Sequence, residues 1–205
     1  MLRGLGVTVM AGGSDPARLE RQLAEAASGA AGLVSFGMAG ALAPSLGLGD
    51  WVIGTTLAGD READCDAAWV GSLASRLPGA ALGRCYADGR LIADVAERRA
   101  IAHSTGALCA DMESHIVAKV AAEAGVNFVI LRCISDLADA ALPPAIAVAM
   151  RPDGGLALGA LLGSLVARPG QLPALLRTAA GFNRAFSALR DGARAAGPRL
   201  AFDRR

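Results

Sequence analysis

Residues 106–136 place the strongest constraint on the fold, because they have the pattern of a buried strand, a helix and a second buried strand. The first strand is predicted in "GALCA", the helix in "MESHIVAKVAAEAG" and the second strand in "VNFVILRCI", the most apolar of the predicted strands. Gly125 is expected to end the helix, since glycine readily adopts the left-handed conformation of a helix C-terminus. A strand–helix–strand unit of this kind is typical of a parallel sheet covered by helices.

Strands and helices alternate along the whole chain up to Asp139. Further strands are predicted in "GVTVMAGG", "GLVSF", "DWVIGTTL" and "RCYA", and further helices in "SDPARLERQLAEAASG" and "DVAERRAIAHST". The segment "GMAGAL" is interpreted as a turn and "DGRLI" as a loop. We therefore expect a single domain over residues 1–205, with a three-layer α/β/α fold and a mixed, mostly parallel central sheet.

The C-terminal part of the chain has a helical pattern and a strong positive charge. From Arg168 onward there are eight arginines and two aspartates, a net charge of +6, whereas residues 1–167 carry −5. We expect a basic amphipathic helical section over residues 168–205 that packs on the sheet and could also contact an anionic membrane surface or a partner. Its apolar residues at helical spacing are Leu172, Leu175, Leu176, Ala179, Phe182, Phe186, Leu189 and Ala193.

The composition excludes several classes of protein. The longest apolar run, "GGLALGALLGSLVA", is shorter than the roughly 20 residues that a membrane-spanning helix needs. The N-terminus lacks the apolar core of a signal peptide. Only 4% of the residues are aromatic, which argues against a base-stacking surface for nucleic acid. We therefore expect a cytoplasmic protein that does not bind nucleic acid.

The cysteines and histidines give little support for a metal site or for disulfide bonds. No two of the four cysteines form a C-x-x-C pair, so reduced thiols are the expected state. His103 and His115 are the only histidines, and we predict no metal centre. Both histidines, together with Asp111, are assigned packing or interface roles.

Two acidic residues follow predicted strands. Glu113 comes after "GALCA" and Asp136 after "VNFVILRCI". Because ligands bind at the carboxyl ends of strands in parallel α/β folds, we expect both acids at the same edge of the sheet. Taken alone, Glu113 could merely favour the helix dipole, and Asp136 could merely cap a turn. Together in one cleft, two carboxylates suit acid–base chemistry and the recognition of hydroxyl groups.

The order of the motifs resembles the purine nucleoside phosphorylase and methylthioadenosine/S-adenosylhomocysteine nucleosidase superfamily. The segment "LVSFGMAGALAPSLGLGDWVIGTTL" is similar to the glycine turn and Gly-Asp strand of that superfamily, and "YADGRLI" is similar to its base-pocket loop. The segment "ADMESHIVAKVAAEAGVNFVILRCISDLAD" is similar to its Met-Glu and Ser-Asp elements. The resemblance runs in the right order from about Val7 to Asp139, and this makes it specific.

The resemblance implies an enzyme that cleaves the N-glycosidic bond of a purine nucleoside. Glu113 would accept hydrogen bonds from the ribose hydroxyls, with Met112 against the sugar. Asp136, oriented by Ser135, would hydrogen-bond or protonate the purine at N7, which makes the base a better leaving group. The other implied contacts are Leu91 and Ile92, which would flank the base, and Gly37, Met38 and Gly40, whose backbone would approach phosphate or water.

Within the superfamily, the hopanoid-biosynthesis-associated phosphorylases are the most similar branch. The segments "DMESH", "ALPPAIAVAMRPDG" and "RPGQLPALLR" carry this resemblance. It implies release of adenine from adenosylhopane, a nucleoside with a polycyclic lipid. The apolar "ALPPAIAVAM" could line a pocket for the lipid, and the basic C-terminus could rest on a membrane surface.

Three departures from the superfamily pattern matter for the chemistry. Only six residues precede Val7, so the N-terminal strand and helix of the superfamily are expected to be missing or the start of the sequence to be truncated. Met38 stands where a hydroxyl residue often contacts the nucleophile, and Leu91 stands where an aromatic residue is usual. Water and phosphate both remain candidate nucleophiles, so we expect no cofactor, with phosphate as a candidate co-substrate. Arg3, Arg84 and Arg90 are candidate anion contacts.

Other functions also remain open. A nucleosidase for methylthioadenosine or S-adenosylhomocysteine is the alternative within the same class. A non-catalytic nucleoside- or lipid-binding protein is the alternative of another class, and it would keep Glu113 and Asp136 without activating a nucleophile. The resemblance further implies a homo-oligomer.

Overall fold

The computed structural model describes residue 2 and residues 4–12, 15–142, 170 and 172–203. The helices are α1 (Pro16–Ala27), α2 (Ala67–Arg76), α3 (Val95–Thr105), α4 (Ser114–Ala124) and α5 (Leu172–Ala196), followed by a 3-10 helix over Pro198–Ala201. The strands are β1 (Gly32–Ala41), β2 (Trp51–Gly59), β3 (Ala63–Asp64), β4 (Ala81–Ala87), β5 (Cys109–Asp111) and β6 (Asn127–Asp136).

The strands form one mixed sheet in the order β3-β2-β4-β5-β1-β6. The pairs β1–β6, β2–β4 and β4–β5 are parallel, and the pairs β1–β5, β2–β3 and β2–β6 are antiparallel. Because β2 also pairs with β6, five strands close into a ring and β3 lies outside it. The predicted α/β fold with a mixed sheet is confirmed. The closure of the ring was not predicted, since no local pattern shows which distant strands will pair.

Helices pack on both faces of the β1–β6 pair. Successive side chains of a strand point to opposite faces. On one face, Ser114 of α4 donates a hydrogen bond to Ser35 of β1. On the other face, Cys133 of β6 packs against Ala185 and Leu189 of α5. The central strand β6 is therefore buried from residue 128 to residue 135.

Local capping explains where most helices begin and end. Asp15, Asp66 and Asp94 accept backbone hydrogen bonds at the first turns of α1, α2 and α3. Gly106 and Gly125 end α3 and α4 in the left-handed conformation, which glycine adopts without steric cost. The predicted helices α1, α3 and α4 are thus confirmed. Helix α2 was not predicted, although Asp66 is the kind of residue that caps a helix.

Two predictions in the N-terminal part of the chain are wrong. The segment "GVTVMAGG" has no regular strand over residues 7–12, because it joins no ladder of the sheet, and Val9 is 58% exposed. The segment "GMAGAL" is not a turn as far as Ala41, because β1 continues through it beside β6. A register shift between Ala39 and Gly40 is the only local irregularity of that ladder.

Helix α5 packs on the sheet through small residues. A Cβ atom on Gly192 would lie 2.2 Å from the ring of Trp51, and one on Gly181 would lie 2.6 Å from the carbonyl oxygen of Ser135. Leu176 and Phe186 are 64% and 57% exposed, so their predicted burial is wrong. The helix comes so close to the sheet that small side chains occupy the contact and two large ones are left outside. No helix in the described part of the chain is long and apolar enough to cross a membrane.

Candidate active site

A cleft at the edge of the sheet brings together four separate parts of the chain. These are the end of β1, the turn between β5 and α4, the end of β6 and the loop before α3. The lining residues are Gly40, Leu42, Arg90, Leu91, Ile92, Arg98, Ala110, Asp111, Met112 and Asp136. The structure therefore places five of the predicted site residues around one cleft: Gly40, Leu91, Ile92, Met112 and Asp136.

Asp136 ends β6 and lies beside Gly40 of β1. Its Oδ1 atom accepts a hydrogen bond of 2.7 Å from Ser135 Oγ, and its Oδ2 atom accepts one of 2.5 Å from Arg98 Nη2. A Cβ atom on residue 40 would lie 2.8 Å from Oδ2, so the carboxylate can occupy this position only beside a glycine. Both carboxylate oxygens are held by side chains, which is more than a turn-capping aspartate requires.

Arg98 holds Asp136 and was not identified from the sequence. This residue of α3 is only 2% exposed. Its Nε atom donates to the carbonyl oxygen of Ile92 and its Nη1 atom to that of Leu137, each at 2.8 Å. Arg98 thus joins the loop before α3 to the end of β6. A buried arginine is a signal of pairing, but the spacing along the sequence does not reveal its burial.

Glu113 lies at the N-cap of α4, but its side chain does not cap the helix. Asp111 does this, since its Oδ1 atom accepts from the backbone N–H groups of Glu113 at 2.9 Å and Ser114 at 2.7 Å. The Glu113 side chain instead lies beside Gly12, where a Cβ atom would be 3.1 Å from its Cγ atom. The carboxylate is therefore not needed for the helix cap.

Burial raises the pKa of the Glu113 carboxyl above its ordinary value. The positive charge of Arg132 opposes this shift, the negative charge of Asp111 adds to it, and a hydrogen bond from the backbone of Met112 lowers it again. Desolvation is the largest of these causes, so the protonated form of Glu113 persists to a higher pH than in an exposed glutamate.

Arg132 and Asp111 form a buried ion pair next to Glu113. Arg132 Nη2 lies 2.9 Å from Asp111 Oδ1 and donates to Ser35 Oγ and to Ser114 Oγ, at 2.5 and 3.0 Å. Their side chains are 5% and 1% exposed. The packing role assigned to Asp111 is too narrow, because its carboxylate both caps α4 and compensates a buried charge. The pair was missed because its members lie 21 residues apart in the sequence.

The structure does not bring every predicted site residue to the cleft. The space beside Gly37 is filled by Arg132, whose Nη1 atom would lie 2.7 Å from a Cβ atom there. Met38 packs against the cluster of Cys133 and Ala185 under α5. Ser135 is buried and donates a hydrogen bond to Asp136. The residues that line the cleft do not include Gly37, Met38, Ser135 or Glu113.

Glu113 and Asp136 do not follow parallel strands, contrary to the prediction. β5 runs antiparallel to β1, so Glu113 does not follow a strand parallel to β6. Strand β5 is short and pairs with β1 only at Gly40 and Ala41, so the turn that leads to Glu113 begins beside the end of β1. Gly40 therefore has Ala110 on one side and Asp136 on the other.

The sequence profile of the phosphorylase superfamily matches residues 80–147. That range contains the loop before α3, the turn between β5 and α4, and the end of β6. The predicted resemblance to the phosphorylase superfamily is confirmed. A search of curated proteins finds no match.

Several solved structures are similar to this chain in fold, at low sequence identity. S-adenosylhomocysteine nucleosidase from Streptococcus pyogenes, in complex with 5-methylthiotubericidin, has a TM-score of 0.55 and 19% identity over 78% of this chain and 73% of its own. The 5′-methylthioadenosine/S-adenosylhomocysteine nucleosidase from Neisseria meningitidis, in complex with methylthio-immucillin-A, has a TM-score of 0.53 and 20% identity. The match covers 73% of this chain and 77% of the nucleosidase. A futalosine hydrolase mutant from Helicobacter pylori strain 26695 has a TM-score of 0.51 and 15% identity. The match covers 57% of this chain and 64% of the hydrolase. At these identities the likeness establishes the fold.

The carboxyl groups of Asp136 and Glu113 have different surroundings. Asp136 accepts hydrogen bonds from a guanidinium and a hydroxyl group, whereas Glu113 is buried near the Arg132–Asp111 pair. Along β1, Arg132 pairs with Gly37 and Asp136 pairs with Gly40. Carboxyl groups in such different surroundings suit different tasks, since one can transfer a proton while the other accepts hydrogen bonds.

Proposed function

We propose that this chain cleaves the N-glycosidic bond of a purine nucleoside. The observation that carries the proposal is the position of Asp136, whose carboxyl group is fixed by Arg98 and Ser135 inside a cleft lined by Leu91 and Ile92. A cleft that combines apolar side chains with an oriented carboxyl group suits a purine, which has flat apolar faces and ring nitrogens at its edge. The solved structures with this fold include nucleosidases bound to nucleoside analogues, which supports the same class of substrate.

Cleavage of the bond leaves negative charge on the purine and positive charge on the sugar ring. Asp136, which Arg98 holds as a carboxylate, would take up a proton from water and pass it to N7 of the purine, so that the base leaves as a neutral molecule. Arg98 would then stabilise the carboxylate that remains, because its Nη2 atom already lies 2.5 Å from Asp136 Oδ2. Glu113 would accept hydrogen bonds from the ribose hydroxyls, and Met112 would pack against the sugar. Charge-assisted hydrogen bonds of this kind are among the stronger polar contacts.

The nucleophile is water or phosphate. The described side chains that line the cleft include two arginines, Arg90 and Arg98, and Arg98 is already engaged with Asp136 and two carbonyl oxygens. Hydrolysis needs no anion site, whereas phosphorolysis does, so the phosphate dependence of the reaction decides between them.

The test is release of adenine by the purified chain. Adenosine, methylthioadenosine and a lipid-tailed adenosine would each be incubated with the protein, with and without phosphate, and free adenine would be measured by chromatography. Asp136→Asn should reduce the rate by about 10²- to 10⁴-fold, the usual contribution of a general acid. Asp139→Asn is the matched control, because Asp139 is an exposed aspartate close by in the sequence. Absence of adenine release from every substrate would contradict the proposal.

The finer proposal is that the nucleoside carries a lipid, as in adenosylhopane. The exposed side chains of Leu176 and Phe186 on α5, together with the exposed Arg190 and Arg194, support contact with an anionic membrane. The apolar segment predicted to line a lipid pocket lies largely outside the described residues, since its positions 143–150 are not among them. Sedimentation with anionic vesicles at low salt tests the membrane contact, and Phe186→Ser should weaken it. No binding of the unmodified chain would rule it out.

Two alternatives predict different results in the same assay. A nucleosidase for methylthioadenosine or S-adenosylhomocysteine would release adenine from methylthioadenosine faster than from the lipid-tailed substrate, and the solved structures named above favour it. A non-catalytic binding protein would bind adenosine tightly and release no adenine. The packing of Met38 under α5 favours the binding protein, because it leaves no side chain at that position to contact a nucleophile.

A further inference from the structure

Among the described residues that line the cleft, none has an aromatic side chain against which a purine could stack. In the described part of the chain, its apolar lining comes from the aliphatic residues Leu42, Leu91, Ile92 and Ala110 and from Met112. Aliphatic side chains exclude water from a base, but they do not provide the flat π surface that a purine prefers. A planar group at the mouth of the cleft would therefore contribute more to the recognition of the base than another apolar one.

Arg90 is a planar group in that position. It lines the cleft next to Leu91, and its side chain is 61% exposed. The other arginine of the cleft, Arg98, is 3% exposed and is surrounded by the groups to which it donates. Of these two arginines, Arg90 is the one whose guanidinium faces a ligand could reach.

The edges of the Arg90 guanidinium are held by two carboxylates. Its Nε atom donates to Asp88 Oδ2 at 2.8 Å, and its Nη2 atom lies 2.6 Å from the same oxygen. Its Nη1 atom donates to Glu97 Oε1 at 2.9 Å. Hydrogen bonds at the edge of a guanidinium lie in its plane, so they leave its two faces free for stacking.

The Asp88 carboxylate is itself fixed in place. Its Oδ1 atom accepts the backbone N–H of Arg90 at 3.0 Å, and its Oδ2 atom accepts the hydroxyl of Tyr86 at 3.1 Å. Glu97 is fixed at the first turn of α3, where its backbone N–H donates to Asp94. The loop and the helix thus hold the guanidinium in one orientation before a ligand binds, which reduces the entropy lost on binding.

We propose that the face of the Arg90 guanidinium stacks on the purine base and supplies the π contact that the lining of the cleft lacks. The inference rests on the proposed function, because it requires a purine in the cleft. Arginine stacks on aromatic rings through both its charge and its plane. Lysine keeps the charge but lacks the plane, so the two residues should not be interchangeable here.

The test compares the binding of free adenine and of free ribose, measured by calorimetry. Arg90→Leu should weaken adenine binding by about five- to thirtyfold, the range expected for a stacked cation, and should leave ribose binding unchanged. Arg90→Lys should recover only part of the loss. Arg99→Leu is the matched control, because Arg99 is an exposed arginine of α3 that does not line the cleft, and it should change neither affinity.

A second variant distinguishes stacking from a general change in the loop. Adding Leu91→Phe to Arg90→Leu should restore adenine binding, because it returns a flat π surface to the adjacent position. Unchanged adenine affinity in Arg90→Leu, with normal binding by the unmodified chain, would overturn the inference and leave the proposed function intact. Equal losses for adenine and ribose would also overturn it. If the unmodified chain binds no adenine, the proposed function itself fails.

Discussion

Arg98 Nη2 lies 2.5 Å from Asp136 Oδ2, and the two side chains are 3% and 12% exposed. The two residues are 38 positions apart in the sequence and belong to different elements, α3 and the end of β6. The other donors of Arg98 are taken up by the carbonyl oxygens of Ile92 and Leu137. The carboxyl group of Asp136 is therefore part of a buried network that also connects the loop before α3 to the end of β6.

Removing one member of this pair should lower the free energy of unfolding more than removing both members. Arg98→Met leaves the Asp136 charge without its partner, and we expect the free energy of unfolding to fall by about 3–5 kcal/mol. The double variant Arg98→Met/Asp136→Leu removes both charges and should regain most of that stability while releasing no adenine. Urea denaturation of the two single variants and the double variant measures the coupling. Additive effects of the two changes would show that the pair does not contribute to stability.

Glu113 should give the pH profile of adenine release an unusual acidic limb. Burial raises its folded-state pKa above the ordinary value of 4.5, and only the ionised form can accept from both ribose hydroxyls. The value of kcat/KM should therefore fall at a higher pH than an exposed glutamate would produce. Glu113→Gln should lower kcat/KM by about ten- to a hundredfold, since hydrogen bonds to charged groups contribute about 1.5–3 kcal/mol. Glu123→Gln, at an exposed position of the same helix, should leave the profile unchanged.

The same raised pKa has a consequence for stability. A carboxyl group that holds its proton more tightly in the folded chain favours folding when protonated and opposes it when ionised. The contribution of Glu113 to stability should therefore decrease as the pH rises from its unfolded to its folded pKa. The difference in unfolding free energy between Glu113→Gln and the unmodified chain should change over that interval and be constant above it. A flat difference at all pH values would contradict the assigned shift.

A methyl group at position 40 should disable the site. In Gly40→Ala the new Cβ atom would lie 2.8 Å from Asp136 Oδ2 and 3.4 Å from Arg98 Nη2, so the carboxyl group would have to move. We expect strongly reduced adenine release together with lower stability. Gly71→Ala is the matched control, because Gly71 lies inside α2 with no atom within 4 Å of a new Cβ. It should raise stability by about 0.5–1 kcal/mol and leave activity unchanged.

The four cysteines should be inert in the folded chain. All four are buried free thiols, and burial raises the pKa of Cys65 and of Cys133 to about 12. The thiolate is the reactive form, so a shift of the pKa from 9.0 to about 12 lowers its population by roughly a thousandfold. Iodoacetamide followed by mass spectrometry should find no labelled cysteine in the native protein and four in urea. Rapid labelling of a native thiol would show that its segment opens.

Much of the fold could be predicted because local patterns are sufficient for it. Asp15, Asp94 and Gly125 cap helices by contacts within a few residues of themselves, and such contacts are visible in the sequence. The apolar run of β6 predicts a buried strand for the same reason. The order of motifs in the superfamily predicted that four residues would share one site, and the structure places them around one cleft. These residues are Leu91, Ile92, Met112 and Asp136.

The tertiary structure alone decided which distant groups meet. The "GVTVMAGG" segment has the alternation of a strand, but it lacks a paired neighbour over residues 7–12. The glycines of "GMAGAL" suggest a turn, yet β1 continues through them, because β6 pairs with this part of β1. The partners of Asp136 and Asp111 are arginines, Arg98 and Arg132, that lie 38 and 21 residues away. Hydrogen bonds and ion pairs depend on distances of a few ångströms, and local preferences do not determine those distances between elements that are far apart in the chain. The sequence by itself determined the kinds of elements and the chemical groups available, and the packing of the sheet and helices decided which of those groups form the candidate site.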